Sequence, residues 1–319
     1  MVSISEIRNS ITNLGPNLVG VFVGGTSGIG EATAREFVRH AQAPRVYLIG
    51  RSREQADRLI TEFKTLNEEA QTHFIQSDVS LLRNVDEACK EISAKEEKVN
   101  LLVLSAGVLT MKGRDETPEG LDKKLSLHYY SRMRFTTKLL PLLRTTSTSQ
   151  PPLARIISVL GAGHEGALDV SDLSLRNPGS YSLSTAANHA ISMTSLTFQH
   201  LAADPANKNI GFVHSDPGGV DTNIVRNLGG VMQKVLAVAG KLILKPTGLV
   251  VDAKESGERH VWTGTDERFG SGLHRVGPKG EKAGEKVFGQ LREKGDEERV
   301  WGHLEEVFGK VGGGGKFEG

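Results

Sequence analysis

The sequence predicts an α/β fold, a single doubly wound parallel sheet with helices on both faces. Short apolar runs rich in β-branched residues alternate with longer runs at helical spacing from residue 19 to residue 214. Each connection is long enough for a crossover, so the strands run parallel and the crossovers are right-handed. The first apolar run also ends in a dense glycine turn that passes directly into a helical pattern. These three observations place the chain among open, twisted parallel sheets.

Ahead of the sheet, Ile4, Ile7, Ile11 and Leu14 recur at helical spacing, with Ser3 or Ser5 as N-cap and Gly15-Pro16 as the stop. This spacing predicts a helix packed on the sheet. The first strand is Val19–Val23, and the helix after it starts at Glu31-Ala32-Thr33. Residues 45–49 then read as a strand, 54–66 as a helix, 72–75 as a strand and 82–94 as a helix. A buried strand follows at 99–104 and a long helix at 121–143, closed by a polar stretch and Pro151-Pro152. Residues 154–160 form the next strand, 181–203 a helix and 210–214 a strand. After Pro217 the character changes. Residues 219–245, rich in glycine and aliphatics, are expected to cover a substrate cleft, and 252–264 to form a helix. One domain is therefore assigned to residues 1–280, and a helical extension with a flexible glycine-rich tail to 281–319.

Composition narrows the function. The 39 Lys+Arg and 38 Asp+Glu leave a net charge of +1, so no basic field points to nucleic acid. A lone cysteine, Cys89, permits no intramolecular disulfide and no cysteine metal site; no metal is expected. No apolar run reaches the roughly 18 residues of a membrane span, and the N-terminus lacks a signal-peptide layout. The expectation is a soluble cytoplasmic protein acting on a small molecule, without membrane or nucleic-acid partners.

The turn Gly24-Gly25-Thr26-Ser27-Gly28-Ile29-Gly30 suits a dinucleotide. Its glycines let the backbone turn tightly against a pyrophosphate, and the helix start offers free N–H groups and partial positive charge. The sheet is thus Rossmann-like. The end of the second strand selects the cofactor. An NAD site places an acidic side chain there for the ribose 2′-hydroxyl; here the run is Gly50-Arg51-Ser52-Arg53. A guanidinium at Arg51, with Ser52 beside it, can hold a 2′-phosphate, which favours NADP(H).

Further motifs follow at strand ends: Asp78-Val79 after the third, Ser105-Ala106-Gly107 after the fourth, and Pro217-Gly218 after the sixth with Thr222 beyond. Together with the Gly24–Gly30 turn they resemble the short-chain dehydrogenase/reductase family over about residues 18–280. The resemblance implies a dinucleotide held by Gly24, Thr26, Ser27, Gly28, Ile29 and Gly30. It places adenine against Asp78 and Val79, and adds contacts from Ser105, Ala106, Gly107 and Tyr181, and from Pro217, Gly218, Val220 and Thr222 beside the nicotinamide. It also implies a dimer or tetramer through the helices at 121–143 and 181–203.

The same resemblance exposes a departure. The family's Y-x-x-x-K motif reads Tyr181-Ser182-Leu183-Ser184-Thr185 here, with threonine for the lysine that lowers the tyrosine pKa and holds the ribose. Gly161 stands at the catalytic serine position and His128 at the asparagine position. Only Tyr181 remains. A phenol near its reference pKa of about 10 is about one part in a thousand ionised at pH 7, a poor base but a competent acid. Losing the serine removes an oxyanion donor, typically worth about 3 kcal/mol. The expected catalytic set is Tyr181 as acid, Thr185 as ribose contact, and His128 or His164 as auxiliary. His128 is expected to relay a proton with Tyr181 or, as imidazolium, to lower its pKa. The leading reading is an NADPH-dependent carbonyl reductase. A non-redox isomerase, cyclase or dehydratase on the same fold comes second, and a non-catalytic NADP(H)-binding protein third. The pairing of this glycine turn with a tyrosine and no lysine further resembles reductases of fungal secondary metabolism, which implies a bulky polyketide- or terpenoid-like substrate.

Overall fold

The computed structural model describes residues 2–148, 153–220 and 250–319. Among these, seven strands form one parallel sheet: β1 Val19–Val23, β2 Arg45–Gly50, β3 Gln71–Gln76, β4 Leu101–Leu104, β5 Arg155–Val159, β6 Gly211–Ser215 and β7 Gly272–Val276. Their spatial order is β3-β2-β1-β4-β5-β6-β7. The chain leaves β1 towards β2 on one side and later returns to β4 on the other, so a crevice opens between the ends of β1 and β4.

Strand alternation sorts the core into two layers. Val19, Val21 and Val23 face one cluster while Phe22 faces the other, and Leu102 and Leu104 oppose Leu101 and Val103 in the same way. Helices α1 (Ile4–Ile11), α2 (Gly28–His40), α3 (Arg53–Leu66) and α7 (Ala253–Thr265) contribute to the second face. Helices α4 (Leu82–Lys95), α5 (Ser131–Ser147) and α6 (Leu183–Ala203) cover the first. The α1 start has a capping box, in which Ser3 and Glu6 satisfy each other's backbone N–H groups.

Three features depart from the pattern read in the sequence. The segment 272–276 pairs in parallel with β6 as an edge strand, which the glycines and charges around it conceal. The helical extension expected within 281–319 breaks into α8 (Lys286–Glu293) and α9 (Asp296–Gly312), because Gly295 adopts φ +71° between them. Phe288, Leu291, Val300, Leu304 and Val307 then join the first core layer. The tail expected to be flexible is docked: Phe317 is 2% exposed, its N–H donates to the Glu119 carbonyl, and its carbonyl accepts from Arg176. Burial of one aromatic ring offsets the freedom of the glycines before it. The cover segment expected at 219–245 lies almost wholly outside the described residues, and so does Thr222. Only Gly219–Val220, paired with Val250–Val251, is seen at its edges.

Candidate active site

The crevice at the end of β1 and β4 is a cleft of about 430 Å³, within the usual range for small-molecule sites. Gly24, Thr26, Ser27, Gly28 and Ile29 form one wall; Gly50, Arg51, Ser52 and Gln55 a second; Asp78, Val79, Ser105, Ala106, Gly107 and Leu127 the rest. Nearly every residue that the sequence assigned to the cofactor before position 110 therefore converges here. Gly30 stands behind the wall, where an added Cβ would strike Ser105 Oγ and the Gly24 carbonyl. Gly24, at φ +85°, would clash with the Ala106 backbone in the same way. Ser105 locks the turn from below, its Oγ donating to the Val23 carbonyl at 3.0 Å. Ser27 places no side-chain cap on α2, so the first-turn N–H groups remain open to the cleft.

The wall at β2 separates the two arginines. Arg53 stacks on Phe74 at 4.6 Å and lies 3.9 Å from Asp57. Arg51 lines the cleft, and its guanidinium has no partner among the described residues. A Cβ on Gly50 would come 2.5 Å from Thr26 Oγ1, so an acidic side chain there has no room unless Thr26 moves. Asp78 uses Oδ1 to hold Ser80 N–H and Oγ at 3.1 and 2.8 Å. The residues fit a dinucleotide, with glycine backbone and helix start at the pyrophosphate. Pro217, Gly218 and Val220 lie beyond β6 and do not line this cleft; the Gly218 N–H is held by Asp216 Oδ1 at 2.9 Å.

The residues expected to be catalytic are distributed differently. Tyr181 precedes α6 and does not line the cofactor cleft. Its hydroxyl accepts from Lys124 Nζ at 3.0 Å and donates to Asp122 Oδ1 at 3.3 Å. Lys124 is one helical turn before Leu127, which does line the cleft. Burial first, and Asp122 second, push the Tyr181 phenol well above its ordinary value, so it stays protonated throughout the physiological range.

Thr185 has its hydroxyl engaged at the start of α6. It is the N3 member of a capping box at α6, accepting from the Ser182 N–H at 2.8 Å and bonding back to the Ser180 carbonyl. A short hydroxyl in the first turn of a helix readily bonds the backbone groups beside it. His128 sits in a π-helical turn, Ser126–Tyr130, and accepts the Val108 N–H through Nε2 at 3.1 Å. Its ring keeps some contact with solvent, but burial and then the Arg132 guanidinium push its pKa down to about 3. It is neutral and makes no hydrogen bond to Tyr181, so the imidazolium expectation is corrected. Its place is under the Gly107 turn, where a Cβ would meet Nε2 at 2.9 Å.

His164 is 70% exposed at its side chain and pairs with Asp216 Oδ2 at 3.1 Å, at the loop leading to Pro217. Ser158 is buried and accepts from Arg132 Nη1 at 2.9 Å. The backbone N–H of Gly161 points at His214 Nε2, 3.5 Å away. Behind it, His214 Nδ1 bonds Ser195, which donates to Glu165, which pairs with Arg275 at 2.6 Å. This string assigns His214 as the neutral Nδ1–H tautomer.

Sequence reasoning missed Lys124 and Asp122. Nothing in Asp122-Lys123-Lys124-Leu125 distinguishes one lysine from the next. Only the fold shows that Lys123 reaches the exposed Asp115 while Lys124 turns inward to 7% exposure.

Comparison with known proteins agrees with this architecture. Residues 19–232 match the family described as short chain dehydrogenase. Oxidoreductase AN1596 of Emericella nidulans is 37% identical over 340 residues, covering 96% of this chain and 98% of its own. Oxidoreductase andH of Emericella variicolor is 37% identical over 273 residues, covering 84% and 77%. The polyprenol dehydrogenase of Mus musculus is 27% identical over 305 residues, covering 93% and 86%. Among solved structures, the Pseudomonas aeruginosa RhlG/NADP active-site complex has a TM-score of 0.59 at 19% identity, over 82% of this chain and 95% of that one, and shares the fold. The chain belongs to the short-chain dehydrogenase family, as an oxidoreductase with the nicotinamide-cofactor fold.

Proposed function

We propose that the protein is an NADP(H)-dependent reductase that converts a carbonyl on a bulky apolar substrate to an alcohol, with Tyr181 as proton donor. The observation that carries the cofactor choice is Arg51, a guanidinium without a partner among the described residues, on the cleft wall where Gly50 leaves no acidic side chain. A fork of N–H donors there suits a 2′-phosphate and has no counterpart need in NAD(H). When bound, the nicotinamide supplies the hydride. The direction follows from Tyr181. A phenol held protonated by burial and Asp122 is a poor base towards an alcohol but can donate to a developing alkoxide.

The substrate class is inferred from the loop after Gly107. Leu109 and Met111, at 43% and 67% exposure, are the exposed large hydrophobic side chains among the described residues. They follow directly on the cleft wall. Exposed apolar residues beside a polar cofactor site suit an apolar ligand. The test is turnover of a panel of ketones and quinones with NADPH and with NADH. Oxidation of NADPH that requires the substrate and is lost in Tyr181→Phe is the expected result. Preference for NADH, or oxidation of alcohols faster than reduction of ketones at pH 7, would overturn the reading.

A further inference from the structure

The family's lysine is missing from position 185, yet the phenol is not without a cation. Lys124 Nζ stands 3.0 Å from the Tyr181 hydroxyl, and its remaining donors are directed to the Lys112 and Gly113 carbonyls at 2.7 and 3.0 Å. An ammonium has three donors, so all three are engaged and its position is over-determined. The side chain is 7% exposed. Below it, Asp122 caps the same turn, accepting from the Lys124 and Leu125 N–H groups at 3.0 and 3.1 Å, and from the Asp115 N–H at 2.9 Å. The phenolic oxygen thus lies between a fixed cation and a fixed carboxylate from one helical turn.

We propose that Lys124 is the positioning residue for Tyr181, supplying from the helix before Leu127 the cation that position 185 lacks. The inference rests on Tyr181 being the proton donor. In that step the Tyr181 O–H bond breaks as an O–H bond forms on the substrate oxygen. The negative charge left on the phenolic oxygen faces the Lys124 N–H, and a solvent proton restores the phenol. A charge-assisted hydrogen bond strengthens as its acceptor becomes anionic, so Lys124 favours the ionised form over the neutral one. The other charged groups acting on the phenol are Asp122, Asp115 and Arg114. Unlike the family's lysine, Lys124 does not line the cofactor cleft. It also ties the loop carrying Leu109 and Met111 to the proton donor, through the Lys112 and Gly113 carbonyls.

The test places 3,5-difluorotyrosine at position 181, whose more acidic phenol titrates where the fold survives, and follows its fluorine resonance with pH. Lys124→Met is expected to raise the midpoint by about one unit, a tenfold change in ionisation; Lys124→Arg should leave it near the parent value. In the unlabelled enzyme, with 9,10-phenanthrenequinone as acceptor, Lys124→Met should lower kcat about tenfold or more while NADPH affinity, read by fluorescence, stays within about twofold. An unchanged midpoint in Lys124→Met overturns the inference, as does a parallel loss of NADPH affinity. If Lys124→Met does not fold, Lys124→Gln is titrated in its place. Full quinone turnover by Tyr181→Phe would instead overturn the reading of Tyr181 as donor, whatever the titration shows about Lys124.

Discussion

The cleft and the Tyr181 cluster are built from different materials. The cleft is walled mainly by backbone: glycines at Gly24 and Gly30 that admit no Cβ and open N–H groups at the start of α2, joined by the Arg51 side chain, which has no partner among the described residues. The cluster proposed to be catalytic is made of side chains. Tyr181 comes from the start of α6, and Lys124 and Asp122 from 57 and 59 positions earlier in the chain. A backbone cradle has few substitutes, since only glycine tolerates those contacts. A cation beside a phenol can come from any element that passes near it. On the proposed reading, the difference accounts for a site whose cofactor-binding motif follows the family closely while its catalytic motif does not.

The contrast can be broken by substitution. The largest effect is expected from Tyr181→Phe, which should lower kcat about 100-fold or more, with NADPH affinity unchanged because Tyr181 lies off the cleft wall. Single-turnover hydride transfer measures the first and fluorescence titration the second. If cofactor affinity fell with kcat, the cleft and the cluster would not be separable. Gly30→Ala inverts the pattern. Its methyl would meet Ser105 Oγ and the Gly24 carbonyl, and overpacking of this kind costs about 1–3 kcal/mol. A lower thermal midpoint and weaker NADPH binding should appear together, whereas binding at parent strength would show that the turn yields more than its contacts suggest.

Arg51→Ala should weaken NADPH by about 10- to 100-fold, the range for one charged hydrogen-bonding group, and leave NADH within about twofold. Equal losses for both cofactors would remove the 2′-phosphate assignment. The last effect is on stability rather than binding, and concerns two buried histidines, His214 in β6 and His260 in α7. His214 and His260 are held neutral by burial, with pKa values pushed down to about 3 and about 4. The unfolded chain takes up those protons more readily, near the ordinary value of about 6.5. The stability they contribute is therefore complete above about pH 6.5 and is lost as pH falls towards 4 and 3. Denaturant unfolding at pH 7 and pH 5 should show a loss of up to about 2 kcal/mol per histidine. Stability that is flat across this interval would mean that the histidines are not buried neutral.

Legibility in the sequence follows the same division. The strand, turn and helix of 19–40 occupy one contiguous window, and each residue there answers a local demand: β-branched residues for a buried strand, glycine for φ +85° at Gly24, and a helix that starts without a side-chain cap. Arg51 was visible because it adjoins that window across a known pair of strands, Val23 beside Ile49. Edge strand β7 was not, because Gly272-Leu273-His274-Arg275-Val276 lacks an apolar run and is a strand only through pairing with β6. Thr185 and His128 keep their places in the motif, while their side chains take local partners that the motif does not foretell, the one in the α6 cap and the other at the Val108 N–H.

The sequence by itself determined the parallel sheet, the position of the cleft and the glycine wall, because each depends on residue types within a few positions of one another. Tertiary structure alone decided that Lys124 rather than Lys123 faces Tyr181, that His128 is neutral, and that Phe317 holds the tail down. Those outcomes depend on which crossovers bring distant side chains within about 3 Å, and on how much water is excluded once they meet.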